Sequence, residues 1–360
     1  MAIIDNPIVV GGGGAVDQDS ALQYMLNNKT SYLGIASGLT SLVTFPAFTQ
    51  PGGVTNYEYM CYNCPALTTA PTLTTGSNYQ YAFYGCGNLV DASGIGSITN
   101  GKTFAYMFYN CTSLTTLPDL SNAGSSSLGT SLEGTKYMFY NCSSLTQVNM
   151  QTSFYTIYQY TPTMERMFSG CTNLTSFHPM YNNRLRTTKC TTFNYAFNSC
   201  SSLTSVILSI GLPSGATGVT ANYMFYNCTG LQTVSSESPG GAANITIASS
   251  MFRGCSALTS VPSDFASLTQ VNHMFNGCSS LVNLPQIDMT NVTTATSYIA
   301  NCSSLSNTSL NNVMGSLLTM TSFTGTKTLK SVGFSSDQAT TATGLSNWSA
   351  LSSAGWTTGY

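Results

Sequence analysis

Between about residues 55 and 310 the chain cycles through one order: an aromatic-rich hexapeptide, a leucine three residues on, a short alternating apolar piece, and a polar stretch of variable length. The hexapeptide YMFYNC stands at Tyr106–Cys111 and returns at Tyr137–Cys142 and Tyr223–Cys228, with looser copies between and after. Ten of the twelve cysteines set the register: Cys64, Cys86, Cys111, Cys142, Cys171, Cys200, Cys228, Cys255, Cys278 and Cys302. Successive members are 22, 25, 31, 29, 29, 28, 27, 23 and 24 residues apart. A period of this size with fixed apolar positions is the signature of a solenoid, in which each unit buries its apolar face on its neighbours.

Positions are counted here from the cysteine. Position −3 is Phe in most copies (Phe83, Phe108, Phe139, Phe168, Phe197, Phe225, Phe252, Phe275), with Cys61 in the first and Ile299 in the last. Position −4 is Met or Ala, with Tyr298 in the last copy, and +3 is Leu from Leu67 to Leu305. Position +6 is usually apolar, as in Leu117, Val148, Phe177 and Val206, and Pro often follows. The −4, −3, 0, +3 spacing predicts one face of a short helix. The L-T-x-V-P piece predicts a short strand ended by Pro. The expected fold is therefore an α/β repeat solenoid of about ten units, each a helical turn plus a short strand, with capped ends.

These repeats resemble the BspA-type leucine-rich repeats, whose units read roughly A/M-F-x-x-C-x-x-L-x-x-I/L-x-L-P. The resemblance covers about residues 55–310 and departs from the family's shorter unit through insertions such as SNAGSSSLGTSLEG (121–134) and SSESPGGAANITIA (235–248). It implies a leucine-rich-repeat-like stack. The short apolar start and the ending GLSNWSALSSAGWTTGY are also similar to those of bacteriophage-encoded proteins that carry this repeat.

The ends differ in kind from the repeats. Residues 1–37, with Gly11–Gly14 as a flexible joint, read as an N-terminal attachment arm, and residues 38–54 as an N-terminal cap lacking the M-F-x-x-C half of a repeat. Residues 311–360 read as a C-terminal cap, with TKTLKSVGF (326–334) as a last strand and Ser335 as the N-cap of a helix. Trp348 and Trp356 are expected to cover the apolar end of the stack. The start has no basic segment ahead of a long apolar run, so no secretory signal is read there.

Charge narrows the function. Only 6% of the 360 residues are charged, against about 25% in an ordinary soluble protein. The net charge is −2, with no sustained basic face for nucleic acid, and no apolar run approaches a membrane span. A neutral surface rich in Ser, Thr, Asn and Tyr suits a virion or extracellular setting.

The cysteine column reads as a structural thiol ladder, since free Cys behaves as a small buried hydrophobe; disulfides and metal are the alternatives. Cys61 occupies the Phe position, so its C-x-x-C with Cys64 reads as packing. Cys190, near Arg184, Arg186 and Lys189, is the candidate reactive thiol. No catalytic constellation is found, because His178 and His273 stand in different repeats and outside any nucleophile or metal motif. GSITNGKT (96–103) matches a phosphate-binding loop in letters but sits between two repeats, without the strand and long helix that motif needs. Asn110, Asn141, Asn227 and Asn301 precede the ladder cysteine and are read as turning the chain.

Positions −5 and −2 carry tyrosine beside Ser, Asn, Arg and His, a mixture that predicts exposure. Tyr59, Tyr62, Tyr81, Tyr84, Tyr106, Tyr109, Tyr137, Tyr140, Tyr223 and Tyr226 are the candidate ligand-binding strip. The rings either present a recognition surface or simply stack to cover the repeats. The resulting expectation is a non-enzymatic virion protein: a phage tail fibre, adhesin or head-decoration protein. Its arm docks on other virion proteins, and its solenoid meets a host cell-surface protein or glycan. A bacterial cell-surface adhesin that binds host protein or matrix is the alternative. No cofactor, metal, nucleic acid or membrane insertion is expected, and a homo-oligomer is compatible with these features.

Overall fold

The computed structural model describes residues 18–29, 31–96, 98, 101–121, 123, 134–148, 161–177, 184–187, 189–211, 215–237 and 241–360. The Gly11–Gly14 joint, most of the 121–134 insertion and His178 lie outside the described residues. The chain divides into two compact units, Met1–Phe177 and His178–Tyr360.

The segment before each cysteine is not helical, which corrects the expected helical turn. It is a run of overlapping tight turns. In the copy ending at Cys111, the amides of Met107, Tyr109 and Cys111 donate to the carbonyls of Phe104, Tyr106 and Phe108 at 3.1–3.2 Å. The intervening amides of Phe104, Tyr106, Phe108 and Asn110 instead leave the repeat, donating to Gly134, Lys136, Met138 and Tyr140 of the next at 2.7–2.9 Å. A helix would instead run its amide bonds along its own segment, each to the carbonyl four residues back. Here alternate amides stitch one coil of chain to the next, so backbone groups buried between coils are paired.

The backbone achieves this by turning left-handed at −5 and again at −1. In the first unit φ is +56° at Tyr59, +56° at Tyr81, +59° at Tyr106 and +57° at Tyr137. At −1, φ is +55° at Asn63, +60° at Asn110 and +56° at Asn141, with Gly85 and Gly170 in the same region. Asn and Gly enter this region easily, which explains the recurrent N-C pair, whereas Tyr does so at a cost of about 1–2 kcal/mol.

The cores of the two units repeat one pattern. Phe83, Phe108, Phe139 and Phe168 stack at 5.5–5.6 Å in the first. Phe197, Phe225, Phe252 and Phe275 do so at 5.5–5.6 Å in the second. Met, Cys and Leu at −4, 0 and +3 are buried beside them. The expected strand after the leucine is mostly reduced to one parallel bridge per step at +5, such as Thr69↔Asp91↔Thr116 and Ser260↔Asn283. A second row of bridges runs at −8, as in Asn56↔Asn78↔Thr103. True strands occur in the second unit: β1 (Arg184–Thr187), β2 (Ser205–Ile210) and β4 (Thr233–Ser236) form one parallel sheet, and β3 (Val219–Thr220) pairs with β5 (Ile245–Ile247).

The N-terminal boundary moves. The amides of Tyr32, Gly34, Ala36 and Gly38 donate to Asn56, Glu58, Met60 and Tyr62 at 2.7–2.9 Å, the same inter-coil pattern. Residues 32–39 are thus a full turn segment, with Gly34 (φ +61°) at −5, Gly38 (φ +79°) at −1 and Leu39 in place of the cysteine. The expected border at 37/38 falls inside this coil. Helix α1 (Gln18–Asn28) precedes it and buries Leu22 and Leu26.

At the other end, α2 (Asn307–Leu318) packs with buried serines: Ser309 and Ser316 hydroxyls accept from the amides of Leu284 and Ile287 at 2.8 Å each. TKTLKSVGF is not the expected strand. Thr328 bridges Thr357 and then caps α3 (Leu329–Val332), which Gly333 stops at φ +104°. The carbonyls of Ser331 and Val332 accept from Ser297 and Ile299, completing the final coil. Ser335 opens α4 (Ser336–Ala342) with a capping box to Gln338, whose side chain donates to the Cys302 carbonyl at 2.7 Å. After α5 (Trp348–Ser353), Trp356 is buried against Phe323 at 5.0 Å, while Trp348 is half-buried.

Asn110→Val is expected to cost about 1–2 kcal/mol more in urea unfolding than Asn110→Gly, because both lose the side-chain contact but only Val strains the left-handed backbone. Equal losses would contradict the turn assignment.

Candidate functional site

The thiol column is built by the turns. The ladder places a cysteine Sγ–H against the −3 carbonyl of the preceding coil. In the first unit these bonds run from Cys64 to Ala36, Cys86 to Cys61, Cys111 to Phe83, Cys142 to Phe108 and Cys171 to Phe139, at 2.9–3.1 Å. In the second they run from Cys228, Cys255, Cys278 and Cys302 to Phe197, Phe225, Phe252 and Phe275, at 2.9–3.1 Å. All twelve cysteines are free and buried, including Cys200. Burial pushes the thiols of Cys171, Cys228 and Cys302 up to about 12 and those of Cys142, Cys255 and Cys278 well up. Cys190 is not the reactive thiol expected of it: it is fully buried, with Sγ 3.4 Å from the Thr192 carbonyl.

The tyrosines do come together, in the first unit, as two parallel columns. At −5, Tyr59, Tyr81, Tyr106 and Tyr137 stack with centroids 4.6–4.8 Å apart and planes within 12°. At −2, Tyr62, Tyr84, Tyr109 and Tyr140 stack at 4.5–4.8 Å. The columns touch each other, as at Tyr59–Tyr62, 5.4 Å and 66°. The rings are half-buried rather than exposed as expected, because neighbours cover their faces. What the strip offers along its length is ring edges and phenol hydroxyls. Tyr223 and Tyr226 belong to the second unit, where Tyr223 stacks on Tyr195 at 4.5 Å.

Cations mark where the columns stop. The Arg166 guanidinium, at −5 of the next coil, lies 5.6 Å from the Tyr137 centroid. Lys136 lies 5.6 Å from the same ring and pairs with Glu165 at 3.3 Å. In the second unit Arg253 lies 5.8 Å from Tyr226. Burial, then Arg253, lowers the pKa of His273, favouring its neutral form. The −5 alignment reveals Arg166 and His273 as occupants of the tyrosine column.

Among the described residues no group of three His, Cys, Asp or Glu side chains is placed to hold a metal, and no helix is long and apolar enough to cross a membrane. The chain after GSITNGKT enters tight turns at Phe104–Cys111 rather than a helix. A shallow recess of about 590 Å³ in the second unit is lined by Asn301, Lys330, Phe334, Asp337 and Tyr360.

Residues 58–161, 79–214, 135–261 and 221–345 match the family described as BspA type leucine rich repeat region, with six copies in the family unit. The chain belongs to that family. No curated protein matches the chain significantly. Among solved structures, a leucine rich cell surface protein from Faecalibacterium prausnitzii is 20% identical over 75% of this chain and 83% of its own, with a TM-score of 0.25. A leucine rich repeat protein from T. pallidum is 17% identical over 67% and 78%, at 0.24. An internalin from Listeria monocytogenes is 15% identical over 84% and 82%, at 0.26. Scores this low carry no weight for this chain, and the family assignment stands on the repeat match.

Two outcomes follow for the thiols. The unfolded chain sheds thiol protons near pH 8.5–9, whereas the folded chain holds those of Cys171, Cys228 and Cys302 to about 12. The unfolded state therefore gains first, so the urea midpoint should be insensitive to these groups below pH 8 and fall as pH rises from about 8.5 towards 12. A midpoint independent of pH between 8 and 10.5 would contradict this. Native protein should also resist iodoacetamide at the ladder cysteines until it is unfolded in urea; rapid labelling of most of them in the native state would show an open column.

Proposed function

We propose that the chain is a non-enzymatic recognition protein that presents its tyrosine strip to a partner on a cell surface. The carrier we propose is a bacteriophage particle, as a tail fibre, adhesin or head-decoration protein, with a bacterial cell surface as the alternative carrier. The observation that carries the reading is the pair of stacked tyrosine columns in a chain with 6% charged residues. Tyrosine at −5 holds a left-handed backbone that Gly would adopt at no steric cost, so four successive copies are a poor choice for stability alone. Rows of rigid rings with polar tips give contact area at low entropic cost, as recognition surfaces do. Docking of the arm that precedes the coil at Tyr32–Leu39 on other virion proteins belongs to the same proposal.

The test replaces Tyr81, Tyr84, Tyr106 and Tyr109 with Phe, which keeps the stacks and removes the hydroxyls. Fluorescently labelled wild-type chain should bind saturably to a few strains in a bacterial panel. The variant should bind those strains at least tenfold more weakly with an unchanged melting temperature. Wild-type binding to no strain, or equal binding by the variant, would contradict the reading.

A further inference from the structure

We propose that the N-terminal end of the tyrosine strip is a stacking slot for a neutral hexopyranose, such as an outer residue of a surface glycan. The inference rests on reading the chain as a recognition protein and assigns that surface a defined end site.

Within the strip, ring faces are occupied. Tyr81 lies between Tyr59 at 4.8 Å and Tyr106 at 4.7 Å, and Tyr84 lies between Tyr62 at 4.8 Å and Tyr109 at 4.6 Å. A ligand that stacks face-on therefore has access only at an end. The far end is closed, since Arg166 lies over Tyr137 and Ser169, which follows Tyr140 in its column, is 1% exposed.

The near end is open. In the preceding coil the two column positions are held by Gly34 and Ser37, followed by Gly38. A Cβ on Gly34 would meet nothing nearer than the Ser37 Cβ at 3.8 Å, and one on Gly38 would meet nothing within 4 Å. No ring among the described residues stacks on Tyr59 or Tyr62 from that side. The vacant position continues a column whose members repeat every 4.5–4.8 Å, and the 66° between Tyr59 and Tyr62 makes it a corner with two aromatic walls.

The rim selects the ring. The Glu58 carboxylate, which accepts from Asn78 Nδ2 at 3.1 Å, lies close enough to act with burial in raising the Tyr59 phenol. The half-exposed Ser37 belongs to the same corner, whereas the Asn63 amide oxygen faces Gly85 of the following coil. A pyranose presents a C–H face to an aromatic wall and hydroxyl donors at its edge, matching the Glu58 carboxylate and the Ser37 hydroxyl. An aromatic side chain would cover the walls but bring at most one donor to those acceptors. The carboxylate also disfavours acidic sugars.

The fold supplies the test. Tyrosine already adopts at −5 the conformation of Gly34 (φ +61°), with φ +56° at Tyr59 and Tyr81, so Gly34→Tyr extends the column and fills the slot. Ser37→Tyr closes the Tyr62 wall through the other column and serves as the second variant. The full chain is titrated with the methyl glycosides of glucose, galactose, mannose and N-acetylglucosamine by saturation-transfer NMR. At least one should bind, and Gly34→Tyr and Ser37→Tyr should each weaken it tenfold or more while melting as the wild type does. Binding of no glycoside, competition only by a tyrosine- or tryptophan-containing peptide, or undiminished glycoside binding in a folded variant would overturn the proposal. Cell binding that survives Gly34→Tyr sinks the slot and leaves the recognition reading intact. Glycoside binding without any cell binding does the reverse.

Discussion

The alternation of amides between their own turn and the next coil is the constraint from which the remaining structure follows. Amides at −7, −5, −3 and −1 leave the coil, while those at −4, −2 and 0 close turns within it, as in the stretch Phe104–Cys111. The left-handed residues at −5 and −1 make this possible, because each redirects the chain before a helix can propagate. The coil is then pinned at fixed points on one side while loops on the other vary in length. That freedom is visible in cysteine spacings from 22 to 31 residues.

The same geometry decides what side chains the ladder tolerates. The −3 carbonyl already receives the amide of position 0, and its second lone pair faces the position-0 side chain of the next coil. A small apolar group with a weak donor suits that place. Thiol hydrogens reach the carbonyl at about 3 Å, with no strongly hydrated group taken out of water. Phenylalanine at −3 and leucine at +3 enclose the sulfur, so the cysteines act as packing units with a hydrogen bond. The raised pKa values of Cys171 and Cys228 follow from that enclosure.

The repeat, its register, the buried column and the Ser335 helix cap were legible because each leaves a residue type at a fixed spacing. The turn segment was misread as helical because −4, −3, 0 and +3 is a spacing that helices share with successive three-residue turns. The informative signal was the Asn or Gly at −1, a residue pair chosen for left-handed backbone. Aligning on cysteine also hid the coil at Tyr32–Leu39, where Leu39 replaces the sulfur. The two glycines at −5 and −1 would have found it. The tyrosine columns were visible, but not that their faces are consumed by stacking at 4.5–4.8 Å, since ring orientation depends on the coil rise. That difference matters for function, because it turns a broad aromatic platform into a row of edges with one accessible end.

Amide hydrogen exchange at Tyr81, Phe83, Tyr106 and Phe108 probes this arrangement most directly. In a short helix spanning −4 to +3 the Phe amides would be first-turn donors and the Tyr amides would precede the helix, both without partners and free to exchange. Bonded to the next coil, they should exchange only through unfolding of the stack, with protection matching that of the buried Cys86 and Cys111 amides. Rapid exchange at the −5 and −3 amides beside slow exchange at the cysteines would show that the coils are not joined in this way.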